Sequence, residues 1–412
     1  MQEIRVGQLD AGEVSFDATL DGPTLTLPER LTDDISGGAY VLDRQNSLES
    51  EKHPHDDTVG LSNTTIQRIL SSMVIIVPCK NEAPETVEGV LSGIPNSCVV
   101  ILVSNSARTP VDRYEQEIQM LQRVCHRTQR RRAFAIHQKD EGVAAALDAA
   151  GMVGLTDPAD GKIYNGKGEG MLLGVALAAA VCPDMQYVGF IDADNQVPGA
   201  VHEYCRIYAA GFALVPTSRE HAMVRLRWAS KPKVRDNQLC FDGEGRSSIF
   251  VNAWLNRLVK TLSRRADNKE THRADSKETN LIVTGNAGEH AMSMELALKL
   301  RMAGGYAVEP FHFIDLFQRQ GVFANQADKD SNYEASTHYE DNNGMSTNTK
   351  PLYQRRDRAP PIAPLITSSA HRSLEKPVCI LQIRTLNPHF HRPSDAQHIR
   401  GMLESGLGAI YH

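Results

Sequence analysis

Two aspartates one residue apart follow an apolar stretch near the middle of the chain. Residues 187–191 (Tyr-Val-Gly-Phe-Ile) have the composition of a buried strand, and Asp192 and Asp194 come directly after them. Because side chains alternate along an extended chain, both carboxylates are predicted to point to the same side. Such a pair can hold a divalent cation that neutralises a diphosphate. An isolated Asp-x-Asp more often marks an acidic turn, so the interpretation depends on the surrounding segments.

A glycine-rich segment with one lysine precedes the strand that carries the two aspartates. Residues 165–171 read Asn-Gly-Lys-Gly-Glu-Gly-Met, and an apolar pattern with helical spacing follows them. Free backbone N–H groups at a helix start, together with the ammonium of Lys167, can bind phosphate. The spacing is not that of a P-loop and no obvious strand precedes it, which argues against nucleoside triphosphate hydrolysis. A flexible turn that caps a helix is the alternative interpretation.

Two further polar segments follow apolar runs. The run 73–77 leads into residues 78–82 (Pro-Cys-Lys-Asn-Glu), and the run 281–283 leads into residues 284–290 (Thr-Gly-Asn-Ala-Gly-Glu-His). The second pattern predicts a strand, a turn of small residues and a helix that starts near its Glu-His pair. The glycines of this turn are predicted to let a ligand approach the backbone.

The pattern of apolar runs along the chain predicts an α/β fold. Apolar runs at 73–77, 98–103 and 133–137 alternate with helical patterns, which is typical of a mostly parallel sheet flanked by helices. Ligands of such sheets lie beyond the carboxyl ends of the strands. The segments expected to converge at one rim are therefore 78–82, 166–170, 192–195 and 284–290.

The second half of the chain is less regular. Residues 223–228 alternate in polarity, which predicts an antiparallel strand with Arg225 and Arg227 on one face, and Lys231 adds a cation nearby. A further strand is predicted at 213–216. A helix is predicted over 247–265, and its apolar face is expected to comprise Phe250, Trp254, Leu255 and Leu258.

Two histidines follow the last apolar run, residues 378–383. His389 and His391 would face the same way in an extended chain, and one of them could complete a metal site with Asp194. The alternative is a pair of surface histidines near the C-terminus.

Composition limits the class of protein. The chain has 412 residues, 41% of them apolar, 23% charged, and a net charge of -6, so no electrostatic footprint for nucleic acid is present. No stretch approaches the roughly 18 apolar residues that span a bilayer, and no signal-peptide pattern opens the sequence. Seven cysteines without a Cys-x-x-Cys pair fit reduced thiols. We therefore expect a cytoplasmic protein that binds neither membrane nor nucleic acid.

The ordered set of motifs resembles the mannosyl-3-phosphoglycerate synthase family. The segments that carry the resemblance are 77–82, 166–171, 188–195, 284–290, 387–391 and 407–412. Arg384, Leu386 and Arg392, and the long segment 324–376, depart from the family pattern. The resemblance implies a GT-A glycosyltransferase fold, a GDP-mannose donor, a 3-phosphoglycerate acceptor, a divalent cation and retention of anomeric configuration. The implied product, mannosyl-3-phosphoglycerate, is the precursor of the compatible solute mannosylglycerate.

The resemblance also implies roles for individual residues. The implied donor site comprises Pro78, Lys80, Asn81, Glu82, Ser104, Lys167, Gly168, Glu169, Asp192 and Ala193. The implied acceptor site comprises Thr284, Gly285, Asn286, Ala287 and His290, with Arg225, Arg227 and Lys231 as partners for phosphate and carboxylate. The implied metal ligands are Asp194 and His389, with His391 as the substitute. Mg²⁺ is the expected cation, with Mn²⁺, Co²⁺ or Zn²⁺ as alternatives.

Asp192, Asp194 and Glu289 are the candidate catalytic residues. No residue is placed by sequence as a covalent nucleophile, so we expect a front-face reaction in which the leaving diphosphate helps to deprotonate the acceptor. Glu289 is the rival base or nucleophile.

The predicted regions are an N-terminal extension or hairpin over 1–65, a nucleotide-sugar-binding half over 66–220 and an acceptor-binding half over 221–412. Mobile insertions are expected near 266–280 and 324–376, and a homodimer is left open. Three alternatives remain: a glucosyl-transferring relative, a sugar-nucleotide cytidylyl- or guanylyltransferase, and a non-catalytic nucleotide-binding protein. The second is disfavoured because its glycine-rich signature belongs where residues 78–82 stand.

Overall fold

A computed structural model describes the chain from Thr58 onward and three short ranges before it, 16–19, 22–26 and 40–42. Within the later part it leaves out residues 129–130, 151, 153, 216, 229, 236–237, 243–244, 267–280, 321–373, 375, 392–395 and 412. The predicted insertions near 266–280 and 324–376 thus lie almost entirely outside the described residues.

The strands and helices follow one another along the chain in an α/β pattern. The strands are β1 (Phe16–Thr19), β2 (Gly22–Thr26), β3 (Tyr40–Leu42), β4 (Thr58–Gly60), β5 (Met73–Cys79), β6 (Val99–Ser104), β7 (Ala133–His137), β8 (Tyr187–Phe190), β9 (His221–Arg227), β10 (Lys231–Arg235), β11 (Gln238–Asp242), β12 (His290–Ser293) and β13 (Val378–Arg384). The helices are α1 (Asn63–Leu70), α2 (Pro84–Gly93), α3 (Arg113–Arg127), α4 (Glu141–Ala149), α5 (Lys167–Val181), α6 (Pro198–Leu214), α7 (Arg246–Ala266), α8 (Met294–Ala297), α9 (Val308–Gln320) and α10 (Ala396–Tyr411).

Eight strands form the main sheet in the order β3-β13-β9-β12-β8-β5-β6-β7. All neighbouring pairs are parallel except those of β12, which runs antiparallel to both β8 and β9. The predicted α/β fold with a mostly parallel sheet is therefore confirmed. Strands β1, β2 and β4 form a separate antiparallel sheet, and β10 and β11 form a hairpin.

Helices cover both faces of the main sheet, which explains why its central strands are apolar without alternation. Ile75 and Val77 of β5 pack into one core with α1, α2, α3 and α6. Val74 and Ile76, which point the other way, pack into a second core with α5, α7 and α9. Helix α10 packs against α7 and α9. Among the described residues, no helix is both long and apolar enough to cross a bilayer.

Two of the predicted strands are wrong. The predicted strand at 213–216 is largely the end of α6, which continues to Leu214. The predicted strand at 281–283 is a loop, because side-chain amides replace the hydrogen bonds of a sheet. Ile282 exchanges two backbone hydrogen bonds with the Asn256 amide, and the Gln382 amide bonds to the backbone of Leu281, Val283 and Thr284. The strand follows this loop as β12, so His290 begins a strand and not a helix.

The face that α7 buries also differs from the prediction. Val251, Leu255 and Val259, spaced four residues apart, are its buried apolar side chains in the described structure. Phe250 is 54% exposed, although it was expected on the apolar face.

Candidate functional site

A lysine held between two carboxylates lies at the N-terminus of α5. Lys167 Nζ is 2.6 Å from Asp192 Oδ1 and 2.7 Å from Glu309 Oε1. Burial alone would lower the pKa of Lys167, but attraction to Asp192 and Glu309 outweighs it and raises this pKa well above its usual value. The ammonium is therefore charged, and it joins the segments that follow β8 and open α5 and α9.

Gly288 brings a third predicted segment to the same place. A Cβ atom at this position would collide with Asp192 Oδ2 and Lys167 Nζ. The absence of a side chain thus lets residues 284–290 approach the lysine–aspartate pair. Gly168 and Gly285 serve packing instead, because added Cβ atoms there would meet the backbone of Ala303 and the side chains of α7 respectively.

Glu289 is a fully buried carboxyl group beside the pair. Within the described part of the chain neither of its oxygens has a hydrogen-bond partner, and Oε1 lies 3.4 Å from His389 Nδ1. Burial, followed by the charge of Asp192, raises the pKa of Glu289 well above its usual value. Burial lowers the pKa of His389 well below its usual value, so this imidazole is neutral.

Six residues form what we call the charged cluster: Lys167, Asp192, Asp194, Lys231, Glu289 and Glu309. Lys231 joins it electrostatically, although burial lowers its pKa, and its Nζ lies 3.7 Å above the Trp228 ring. Glu309 had no place in the sequence prediction. It is a helix residue 142 positions from Lys167, and no local pattern could have indicated the contact.

Asp194 faces His391 at the edge of this cluster. Asp194 Oδ2 is 3.9 Å from His391 Nδ1, and the two side chains are 26% and 27% exposed. His389 is buried, and its ring stacks on Trp228 at 4.7 Å. Within the described ranges, no three His, Cys, Asp or Glu side chains form a ready-made metal site. Of the two predicted histidine ligands, His391 is the one with an accessible ring beside Asp194.

Glu203 of α6 fixes the turn that carries both histidines. Its carboxylate accepts hydrogen bonds from the backbone N–H groups of Leu386 and Asn387, and from Asn387 Nδ2 at 2.7 Å. The N–H of His389 donates to Ser230 O at 2.9 Å. No sequence pattern indicates this role of Glu203, because an isolated glutamate inside a helix resembles a solvated surface residue.

The structure places two predicted acceptor residues in the interior. Arg225 is fully buried, and its guanidinium donates to the carbonyls of Thr284, Ala287 and Glu309. Burial lowers its pKa to about 10. It therefore holds the loop before β12 in place and has no group available for an acceptor. His290 is also fully buried; burial and then Arg225 lower its pKa well below the usual value.

A cavity that is open to solvent lies beside the same loop. It is lined by Leu226, Arg227, Trp228, Gly245, Ser248, Asn252, Val283, Thr284, Asn286 and Ala287. Ser248 Oγ and Asn286 Oδ1 are buried without a hydrogen-bond partner among the described residues. Arg227 is partly exposed. The cavity thus offers a cation and two unsatisfied polar atoms to a small polar ligand.

The predicted donor residues at the ends of β5 and β6 form a second polar region. Asn81 has a left-handed backbone (φ 58°), and its Oδ1 accepts the Ala107 N–H at 2.8 Å, which ties the two loops together. Lys80 is exposed, whereas Pro78 and Glu82 are partly buried. Ser104 is fully buried and its hydroxyl accepts a hydrogen bond from the Ser106 N–H, so its predicted contact with a base stays a prediction.

The remaining predicted donor residues differ in access. Gly168, Glu169 and Ala193 are buried. Glu169 Oε2 accepts the Gly305 N–H at 2.9 Å, and burial raises the pKa of this carboxyl group. Lys167 is therefore the member of the glycine-rich segment that reaches the charged cluster.

Comparison with known proteins identifies relatives along nearly the whole chain. Residues 34–412 match the family model described as mannosyl-3-phosphoglycerate synthase. The chain is 35% identical over 383 residues to the mannosyl-3-phosphoglycerate synthase of Pyrococcus furiosus, covering 92% of this chain and 82% of the relative. It is 29% identical to that of Aeropyrum pernix, covering 94% and 85%.

Solved structures show weaker similarity. Glucosyl-3-phosphoglycerate synthase from Mycobacterium tuberculosis, solved with Mn²⁺, UDP-glucose and phosphoglyceric acid, has a TM-score of 0.45 and 16% identity, with 85% of each chain covered. Mannosyl-3-phosphoglycerate synthase from Rubrobacter xylanophilus has a TM-score of 0.43 and 14% identity, with 84% and 76% covered. The sequence matches decide the assignment: this chain is a glycosyltransferase that belongs to the mannosyl-3-phosphoglycerate synthase family.

Proposed function

We propose that this chain transfers mannose from GDP-mannose to 3-phosphoglycerate, with retention of anomeric configuration and with the help of a divalent cation. The observation that carries the proposal is that the charged cluster and the polar cavity adjoin one loop, residues 282–287. The cluster suits a nucleotide diphosphate and the cavity suits a small phosphorylated acid.

The charge balance of the cluster favours a divalent cation. Its carboxyl groups outnumber the ammonium groups of Lys167 and Lys231, even when Glu289 is counted as protonated. Asp194 and His391 are the protein groups that would hold the cation. Mg²⁺ usually binds through one or two carboxylates together with substrate phosphates and water, so a complete protein cage is not needed. A histidine ligand also suits Mn²⁺, Co²⁺ or Zn²⁺.

The bound cation would stabilise the charge that develops on the leaving diphosphate. Lys167 would bind the same diphosphate from the N-terminus of α5, where the helix dipole also favours an anion. Asp192 would orient the sugar or ribose once the donor replaces it as the partner of Lys167. The exposed Lys80 and the loop held by Asn81 would contact the nucleoside.

The acceptor would occupy the cavity beside the loop. Arg227 and the nearby Lys231 would bind its phosphate and carboxylate, which require cationic partners. Ser248 Oγ, which is buried and has no hydrogen-bond partner among the described residues, would donate a hydrogen bond to the phosphate. This hydroxyl would thereby gain the partner that it lacks in the described structure.

A front-face reaction fits the position of Glu289. Its carboxyl group is fully buried beside His389, which restricts its access to the anomeric carbon and to the acceptor. In the front-face reaction the bond between the anomeric carbon and the diphosphate breaks, the acceptor oxygen bonds to the same face, and its proton passes to a leaving phosphate oxygen. Activity retained in Glu289→Gln would exclude a role as base or nucleophile.

A product assay tests the proposal directly. We expect mannosyl-3-phosphoglycerate from GDP-mannose and 3-phosphoglycerate, no product after treatment with EDTA, and recovery on addition of Mg²⁺ or Mn²⁺. GDP-glucose and UDP-glucose serve as alternative donors, and preference for either would favour the glucosyl-transferring alternative. Full activity in metal-stripped protein would contradict the role of the cation.

The cytoplasmic location and the homodimer stay predictions.

A further inference from the structure

Glu309, near the start of α9, is a buried carboxylate whose side chain makes one polar contact. It is 2% exposed, its Oε1 lies 2.7 Å from Lys167 Nζ, and its Oε2 is buried without a hydrogen-bond partner among the described residues. Burial of a charge with one oxygen unsatisfied is costly, and stability alone gives no reason to retain it. The arrangement calls for an explanation in terms of what Lys167 does.

The two carboxylates that share Lys167 differ in access to solvent. The Asp192 side chain is 26% exposed, whereas the Glu309 side chain is 3% exposed. An ion pair is stronger in a dry environment than near water. Glu309 can therefore keep its contact with the ammonium while Asp192, at the rim, exchanges its partner for an incoming ligand.

The backbone around Glu309 is itself fixed. Its carbonyl accepts a hydrogen bond from Arg225 Nη2 at 3.2 Å, and the same guanidinium nitrogen donates to Thr284 O at 2.8 Å. The position of Glu309 is thus coupled to the loop that adjoins both the charged cluster and the cavity. Lys167 is held by a rigid partner on the protein side and a replaceable partner on the ligand side.

We propose that Glu309 is a positioning residue for the donor, which holds the Lys167 ammonium at the N-terminus of α5 while Asp192 releases it. Without this carboxylate, the Lys167 ammonium would have no buried anchor once Asp192 releases it, and it would no longer be held where the diphosphate binds. The inference rests on the proposed function, because it takes the donor to be a nucleotide diphosphate sugar.

The test compares Glu309→Gln with Glu309→Asp by steady-state kinetics and by calorimetric titration with GDP and Mg²⁺. We expect Glu309→Gln to raise the KM for GDP-mannose and the Kd for GDP about tenfold, within the range of coupling between charged neighbours. The KM for 3-phosphoglycerate should not change. Glu309→Asp keeps the charge but withdraws it by one methylene, so a smaller increase is expected; it also covers the case in which Glu309→Gln fails to fold.

Asp315 supplies a matched control on the same helix. It is fully buried and ion-paired with Arg301 and Arg319, and no contact links it to Lys167 in the described structure. Asp315→Asn should lower Tm without raising the KM for GDP-mannose. An equal increase in both variants would show that loss of packing explains the effect, and would overturn the inference.

A double-mutant cycle with Lys167→Met separates positioning from general stability. If Glu309 acts through Lys167, Glu309→Gln should have little further effect on GDP binding in the Lys167→Met background. Additive effects, or an unchanged KM and Kd in Glu309→Gln, would overturn the inference while wild-type activity left the proposed function intact. A wild-type protein that neither binds GDP nor turns over GDP-mannose would instead contradict the proposed function, and the inference with it.

Discussion

The charged cluster and the loop 282–287 adjoin each other but are held together by different forces. Side chains of the cluster meet through ion pairs, such as those of Lys167 with Asp192 and Glu309. The loop is fixed by hydrogen bonds to its backbone, which come from the buried Arg225 guanidinium and from uncharged amides. One of them joins the Gly285 N–H to Asn252 Oδ1 at 2.8 Å. An ion pair near the surface can exchange one partner for a charged ligand. Hydrogen bonds between side-chain amides and a buried backbone instead preserve the shape of the loop. The cluster is therefore suited to respond to a bound ligand, whereas the loop supports the shape of the site.

The largest expected effect comes from removing one charge of the cluster. Asp194→Asn should reduce the rate of mannosyl transfer by about 10³-fold, because the proposed cation, which would stabilise the charge on the leaving diphosphate, loses its carboxylate ligand. Its Tm should not fall, since the substitution relieves repulsion with neighbouring acids. The measurements are product formation and thermal unfolding. Asp184→Asn, at an exposed position after α5, is the control and should retain activity. A lower Tm with near-normal turnover in Asp194→Asn would contradict the division between the two regions.

The sequence predicted the cluster better than the loop for a physical reason. Lys167, Asp192 and Asp194 stand at ends of elements, where parallel strands bring polar residues to one edge whatever the detailed packing. Glu309 and Glu203 lie within helices, and their contacts depend on the tertiary arrangement of segments more than a hundred residues apart. No local pattern encodes such contacts.

The loop was misassigned because side chains satisfy its backbone. Residues 281–283 have strand composition, but the Asn256 and Gln382 amides occupy the hydrogen-bonding groups that a neighbouring strand would use. Arg225 was predicted to lie with Arg227 on one face of a strand and to bind the phosphate or carboxylate of the acceptor. In the structure three carbonyls surround it. Local sequence patterns were sufficient to predict the fold class. The role of a buried polar residue depends on its partners, which local patterns do not indicate.

Two glycines offer a sharper comparison with an intermediate effect. A Cβ at Gly288 would meet the ends of two flexible side chains, Asp192 and Lys167, whereas a Cβ at Gly285 would meet Leu255 and Asn252 of α7. Gly288→Ala should therefore reduce kcat about 10²-fold by displacing the ion pair, with little loss of stability. Gly285→Ala should cost about 1–3 kcal/mol in the free energy of unfolding through overpacking.

The two alanine variants act as controls for each other, since they add the same methyl group three residues apart. Urea unfolding and steady-state kinetics on both proteins give the comparison. Similar losses of activity and stability in the two variants would show that the cluster and the loop respond as one unit. Opposite patterns would confirm that ligand response and structural support are separate.

The smallest expected effect is on the stability of the fold at acidic pH. His312 of α9 is fully buried, neither ring nitrogen has a hydrogen-bond partner among the described residues, and its ring packs 5.1 Å from His290. Burial, and then the nearby Arg225, lower its pKa to about 3. In the unfolded chain this pKa is about 6.5. Between these values the unfolded state binds more protons, so stability is complete above pH 6.5 and falls as the pH decreases.

His312→Leu should remove that dependence. For the wild type, this group contributes a loss of up to about 1.4 kcal/mol per pH unit on acidification below pH 6.5. The slope of unfolding free energy against pH, measured by urea denaturation between pH 5 and 7.5, should decrease in His312→Leu by about that amount. His126→Gln is the control, because this side chain is exposed on α3 and stays in solvent when the chain folds. If acid sensitivity arose instead from protonation of the charged cluster, His312→Leu would keep the wild-type slope, and the cluster would have a structural role that its exchangeable ion pairs do not predict.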